Sequence, residues 1–141
     1  MSIRKCVIND VYEIHNLLNM LEETEFELRQ FTTIFQDIIA SVNNHCFVYC
    51  IEEKVVGFIN LNIEYKLHHH NKVCEIEELI IDPDYRGRKI GSKLLEYGMK
   101  IAEEIGCELI ELTSNVKRTR AHQFYVSHAF VNNGYRFIRK L

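Results

Sequence analysis

The residues best suited to chemistry in this chain crowd into one stretch. An apolar run ends at Ile80-Ile81-Asp82-Pro83, and Arg86-Gly87-Arg88-Lys89-Ile90-Gly91 then opens a helical pattern. The first amides of a helix have no internal acceptor, and the helix dipole makes that end mildly positive. Gly87 and Gly91 leave the backbone open to close approach, while Arg86, Arg88 and Lys89 add positive charge. Strand, basic turn and helix N-terminus together suit a pyrophosphate. The turn matches neither a Walker A loop nor Gly-x-Gly-x-x-Gly, so the two standard nucleotide fingerprints are absent. A solvated strand–helix connection could use the same residues, and the turn alone leaves both readings open.

The strand before the turn holds three carboxylates, Glu75, Glu77 and Glu78. Cys74 and Ile76 follow period two, but the next apolar residue is Leu79, three positions on. One extra residue in a strand is the mark of a β-bulge, which bends the strand and locally ends its pairing. A bulge is therefore expected at Glu77–Leu79. These carboxylates are candidate bases, and a solvated strand face is the alternative for each.

The elements that must hold these groups follow from periodicity. Residues 2–8 read as a strand, and Asp10 as an N-cap for a helix with Val11, Ile14, Leu17, Leu18 and Leu21 on one face. Ile34, Ile38, Ile39 and Val42 mark a second helix ending near Asn43-Asn44. Cys46 to Ile51 and Val55 to Glu64 form a hairpin about Glu52-Glu53-Lys54. Cys74 to Ile81 is the next strand. A helix follows the turn, with Ile90, Leu94, Leu95, Ile101, Ala102 and Ile105 inward and Gly106 as left-handed cap. Leu109 to Thr113 reads as a strand and Arg118 to His128 as a short helix. Ala129 to Val131 and Tyr135 to Ile138 read as a last hairpin around Asn132-Asn133-Gly134. The order implies a mixed α/β sheet.

The chain has 141 residues, 47% hydrophobic and 26% charged, which fits a single domain over 1–141 with a real core. A net charge of −3 argues against general nucleic-acid binding. No apolar run reaches the ~20 residues that span a bilayer, and the N-terminus lacks a signal-peptide core. Five cysteines without Cys-x-x-Cys fit reduced thiols in a cytoplasmic protein. His68, His69 and His70 raise a divalent metal, but adjacent residues in extended chain point to alternate sides, so a surface loop is favoured and no metal ligand is assigned.

Leu79-Ile-Ile-Asp-Pro-Asp-Tyr-Arg-Gly-Arg-Lys-Ile-Gly91 resembles the acetyl-CoA motif of the GNAT acetyltransferase superfamily, whose core is Gln/Arg-x-x-Gly-x-Gly/Ala. Arg118-x-x-Ala121-x-x-Phe124-Tyr125, with Phe130 at the helix exit, resembles its later motif. Lys89 stands where the middle glycine is usual, and a helix-compatible lysine is expected to cost little there. Ala129 replaces a common glycine, with strain of about 1 kcal/mol expected if it is left-handed.

The resemblance implies a GNAT-like fold: a twisted mixed sheet with a bulged, splayed fourth strand and about four helices. It implies that backbone at Leu79, Ile80 and Ile81 pairs with the pantetheine of acetyl-CoA. Amides of Arg86, Gly87, Arg88, Lys89, Ile90, Gly91 and Ser92 would hold the pyrophosphate, with Asn115 and Arg118 on the far side of the cofactor. Tyr125 matches a tyrosine that protonates the departing thiolate. Attack by an amine needs a base, because a primary amine is mostly protonated near pH 7; Glu75 and Glu78 are the candidates.

Leu67-His68-His69, Glu75 to Leu79, Gly91 to Leu95, Ser114 to Arg118, Ala121-His122, Phe124-Tyr125 and Arg136-Phe137 are similar to the bacterial aminoalkylphosphonate N-acetyltransferases. That likeness implies a small-molecule amine acceptor, with Lys117, Arg118, Arg120 and Arg136 as cations for a phosphonate. It also allows a homodimer. A protein N-terminal or lysine acetyltransferase is the near alternative, and a non-catalytic coenzyme A-binding module the distant one.

Overall fold

A computed structural model describes residues 2–141. They fall into two compact units, divided after Glu111. The first holds β1 (Ser2–Lys5), α1 (Val11–Glu22), α2 (Leu28–Ala40), β2 (Asn44–Ile51), β3 (Lys54–Lys66), β4 (Asn71–Ile81), α3 (Ile90–Ile105) and β5 (Leu109–Glu111). Its five strands make one sheet in chain order. Neighbours from β1 to β4 are antiparallel. β5 is parallel to β4, which requires a crossover, and α3 supplies it. The mixed α/β sheet with a bulged fourth strand is thus the observed fold.

Both faces of the sheet are covered. On one, Val11, Ile14 and Leu17 of α1 and Phe35 of α2 pack with Cys46, Val48, Cys50, Val55, Phe58 and Ile80. On the other lies α3. A Cβ at Gly57 would sit 2.8 Å from Leu94 Cδ1 and 3.0 Å from Ile81 Cδ1, so the absent side chain is what lets α3 seat closely. Phe47 and Tyr97 meet edge-to-face at 4.9 Å on that side. This two-sided burial explains why β2 and β3 read as nearly continuous apolar runs.

Several boundaries differ from expectation. The second helix faces the core through Phe35, with Phe31, Ile38 and Ile39 beside it, while Ile34 and Val42 are exposed. A stripe running through Phe31 and Phe35 buries more apolar area than one through Ile34, and packing selects it. β1 stops at Lys5, and a 3-10 turn spans Ile8–Asp10. Asp10 precedes α1 but makes no cap hydrogen bond to it. Its carboxylate instead takes both Arg4 guanidinium nitrogens at 2.9 Å and the Val7 amide at 2.8 Å.

The second unit, residues 112–141, holds α4 (Thr119–Ser127). The strands expected at Ala129–Val131 and Tyr135–Ile138 do not form, and Val131, Tyr135, Phe137 and Ile138 are exposed. A good hairpin turn does not hold two strands that join no larger ladder.

Asp10 is 4% exposed. Burial pushes its carboxyl up, but the Arg4 and Val7 hydrogen bonds outweigh this and hold it below the usual range. Asp10→Ala should therefore lower the unfolding free energy by about 2 kcal/mol at pH 7. A lowered folded pKa stabilises above the unfolded value and stops doing so as pH falls through the folded one. Urea melts should show the deficit closing only in acid below the ordinary aspartate range; a deficit unchanged by acid would assign it to packing.

Candidate functional site

The turn after β4 is built to leave amides open. Asp82 accepts from the Asp84 amide at 3.0 Å, and Pro83–Tyr85 makes a 3-10 turn. Gly87 has φ +79, and a Cβ there would meet nothing within 4 Å. Lys89 has φ 62 at the N-cap of α3. Left-handed residues on either side of Arg88, which is not left-handed, turn backbone N–H groups toward a common side. Among the described residues, the amides of Gly87, Arg88, Lys89, Ile90, Gly91 and Ser92 donate to no carbonyl; the Lys93 amide is the first to be taken, by Lys89 O at 3.0 Å. The Arg86 amide points back to Pro83 O at 3.4 Å, so it contributes less than expected. Arg88 lies over the Tyr85 ring at 4.8 Å, and Lys54 approaches the same ring at 5.1 Å.

Lys89 corrects one expectation. It is not a helix-compatible residue but a left-handed one, in a region that a side chain occupies at a penalty of about 1 kcal/mol. The glycine usual there is therefore replaced at a conformational cost.

The bulge lies where the alternation broke. Leu61 pairs with Ile76 and Asn60 with Glu78, leaving Glu77 as the extra residue. Asn62 pairs with Glu75. Directly opposed residues share a face, so Asn60, Asn62, Glu75 and Glu78 come to one face, the one that carries Phe58 and Ile80 of the α1–α2 core. Without the extra residue, Glu75 and Glu78 would point to opposite faces. β5 pairs β4 only over Val73–Glu75. The edge of β4 at Leu79, Ile80 and Ile81 therefore lacks a β5 ladder.

Of the carboxylates, Glu78 is the most enclosed. Its Oε1 accepts from Asn60 Nδ2 at 2.9 Å. Burial pushes its carboxyl above the usual range, the Asn60 bond draws it back, and Glu22 on α1 pushes it up. Glu77 is also raised, first by burial and then by Glu75, Glu78 and Glu64, but it is exposed and solvent screens those charges. Asn60 and Cys46 were not among the residues singled out from sequence. The available signal was an amide side chain in the middle of the apolar run Val55–Ile63.

In the second unit, Asn115 Oδ1 accepts from the Lys117 amide at 2.9 Å, and Asn115 O accepts from the Arg118 amide at 3.0 Å. Arg118 is the N-cap residue of α4. The helix ends in a Schellman motif: Phe130 N to Tyr125 O and Ala129 N to Val126 O, each 3.0 Å, with Ala129 left-handed at φ 66. This closure places Phe130 edge-on to Tyr125 at 5.6 Å, and Phe124 flanks the ring at 5.3 Å. Burial pushes the Tyr125 phenol above its ordinary range, with Arg118 opposing. The phenol therefore holds its proton at neutral pH.

His68 and His69 rings lie 4.5 Å apart, and His69 Nδ1 sits 3.2 Å from Glu108 Oε2. No group of three or more His, Cys, Asp or Glu among the described residues is arranged to hold a metal ion. No helix among them is long and apolar enough to cross a membrane.

Residues 9–130 match the acetyltransferase (GNAT) family. The chain belongs to that family. It is 34% identical over 140 residues to the aminoalkylphosphonate N-acetyltransferase of Salmonella typhimurium, covering 99% of this chain and 91% of that one. It is 31% identical over 124 residues to the glucosamine 6-phosphate N-acetyltransferase of Arabidopsis thaliana, covering 82% of each. A crystal structure titled as a transcriptional regulator from Bacillus halodurans matches with a TM-score of 0.91 at 24% identity, over 99% of both chains; that likeness concerns the fold alone. As a GNAT acetyltransferase, this chain is an enzyme of acyl transfer.

Two left-handed residues without the glycine's freedom make a testable pair. Ala129→Gly and Lys89→Gly should each raise stability by a few tenths of a kcal/mol, relief of about 1 kcal/mol of strain being partly offset by the looser unfolded chain. Thermal melts will read this, and a drop in melting temperature for either would show that the residue's side chain outweighs its strain.

Proposed function

We propose that this enzyme moves an acetyl group from acetyl-CoA to the primary amine of a small molecule that also carries a phosphonate or phosphate. The single observation that carries the reading is Glu78, a half-buried carboxylate held by one oxygen on a bulged strand beside an unladdered edge. The acceptor class draws on the two relatives, whose names give an aminoalkylphosphonate and a glucosamine 6-phosphate. Each joins an amine to a phosphorus oxyanion. Lys117, Arg120 and Arg136 are exposed cations suited to such a group, with Arg118 at the α4 N-cap. The family match runs through both compact units, which supports reading 1–141 as one functional domain.

Acetyl-CoA supplies a thioester already activated for acyl transfer. The uncommitted amides from Gly87 to Ser92 suit its pyrophosphate, and the open edge at Leu79–Ile81 suits its pantetheine arm. Asn115 and Arg118 complete the cofactor set that the family resemblance implies. Glu78 takes a proton from the acceptor ammonium, directly or through one water, leaving the nitrogen lone pair free to form the new C–N bond. Its raised pKa brings it nearer the working pH, where a base is most effective. Glu75, on the same face, is the second candidate for that step. As the C–S bond breaks, the Tyr125 phenol gives its proton to the thiolate, and the second proton that the nitrogen sheds on becoming an amide, carried through water, restores the phenol. Five free cysteines fit a cytoplasmic enzyme.

Thiol release from acetyl-CoA should be measured over aminoalkylphosphonates, amino-sugar phosphates, polyamines, amino acids, aminoglycosides and peptides. Acceptors with a phosphorus oxyanion should turn over fastest; a clear preference for peptides would move the reading to a protein acetyltransferase. Tyr125→Phe and Glu78→Gln should each lower kcat by about 100-fold or more while calorimetry shows acetyl-CoA binding intact. Full activity in either variant removes that residue from its role, and an inactive Glu75→Gln beside an active Glu78→Gln would move the base to Glu75. Gly91→Glu should abolish acetyl-CoA binding by adding bulk and charge at the cradle.

A further inference from the structure

Asn60 is 2% exposed, in the middle of β3, between Ile59 and Leu61, both of which are wholly buried. A buried amide is destabilising unless its bonds are made, and here they are made in one arrangement. Its Oδ1 accepts from Asn44 Nδ2 at 3.1 Å and from Cys46 Sγ at 3.2 Å. Two donors on the oxygen side leave Nδ2 facing Glu78, and it donates to Oε1 at 2.9 Å. The thiol is a dependable donor, because burial, with the nearby Glu78 charge, pushes Cys46 up to about 12. Glu78 Oε2 accepts no hydrogen bond among the described residues. No fully buried side-chain oxygen or nitrogen among them lacks a partner, so Oε2 is not sealed from solvent.

We propose that Asn60 is the positioning residue of the catalytic base: its amide, oriented by Cys46 and Asn44, ties down Oε1 of Glu78 and presents Oε2 to the substrate proton. The chain Cys46–Asn60–Glu78 then spans β2, β3 and β4 and depends on the bulge at Glu77, which alone brings Glu78 opposite Asn60. This rests on the reading of Glu78 as the base. An apolar residue would fill the Asn60 position with less desolvation, so a purely structural account leaves the choice of amide unexplained.

The role carries a pH signature. The groups that act on Glu78 are the Asn60 amide from β3 and the Glu22 carboxylate from α1; the Cys46 thiol from β2 and Glu77 on its own strand are close enough to feel its charge. Among these the Asn60 bond is the one that draws the carboxyl down, while burial and the Glu22 charge push it up. Removing the amide must therefore raise the Glu78 pKa further, so that more of the enzyme holds the proton at a given pH.

The test combines carboxyl carbon-13 titration of the whole protein, which needs no acceptor, with kcat/KM profiles on an aminoalkylphosphonate. Glu78→Gln assigns the resonance. In Asn60→Leu the Glu78 midpoint should rise by about one pH unit or more, and the acidic limb of kcat/KM should move up by the same amount. kcat near pH 7 should fall about tenfold, with the acetyl-CoA KM unchanged. Cys46→Val should shift the limb in the same direction, and Cys46→Ser, which keeps a donor, should shift it less. If Asn60→Leu does not fold, the Cys46 pair decides by the same readout. Unmoved midpoints in folded variants overturn the positioning role. An active Glu78→Gln overturns the base reading instead, while a shifted midpoint would still stand as the hydrogen bond's own effect.

Discussion

One additional residue in β4 governs the site. A strand alternates its side chains with period two, so two carboxylates three positions apart belong on opposite faces. Glu77 breaks that count, and Glu75 and Glu78 fall on the same face as Asn62 and Asn60. The same disruption coincides with the end of pairing to β5, which reaches only Glu75. A single local insertion thus turns a base candidate toward the α1–α2 side, beside a strand edge that β5 does not pair. Bulges next to active sites re-aim side chains in this way.

β3 carries a second irregularity that keeps the sheet consistent. Val55 pairs with Cys50 and Gly57 with Tyr49, leaving Val56 unmatched. Val55 and Phe58 can then both serve the α1–α2 core, while Gly57 stands beneath Leu94 of α3. The two shifts let one strand serve both layers. Around them the titratable groups are held neutral or paired: burial raises the thiols of Cys46 and Cys74 to about 12, and Arg4 pairs with Asp10. Glu78 is the exception, enclosed yet bonded through one oxygen. That asymmetry is what the proposed role of Glu78 as a base draws on.

Much of this was legible in the residues. The amphipathic faces of α1 and α3, the Gly106 cap, the Glu52-Glu53 hairpin and the bulge each rest on local spacing or on a turn's backbone demand, and each appears in the structure. The second helix shows where local reading stops. Its isoleucines fit a helical period as well as its phenylalanines, and only packing against β2 selects Phe35. Lys89 is a similar case, since its left-handed φ depends on how the turn meets α3 rather than on the lysine. The last hairpin failed for the converse reason: Asn132-Asn133-Gly134 specifies a turn, but strands need a ladder to join.

The sequence by itself determined the family, the basic turn that opens α3, the extra residue in β4 and the identity of the tyrosine on α4. These are properties of neighbouring residues, and neighbour spacing survives without coordinates. Only the tertiary structure decided which glutamate is enclosed and what holds it. Asn44, Cys46, Asn60 and Glu78 come from three strands, and Glu22 from a helix. Their meeting depends on cross-strand register, which a one-residue slip would reverse. Hydrogen bonding and burial between distant segments, not spacing along the chain, separate Glu78 from the two glutamates beside it.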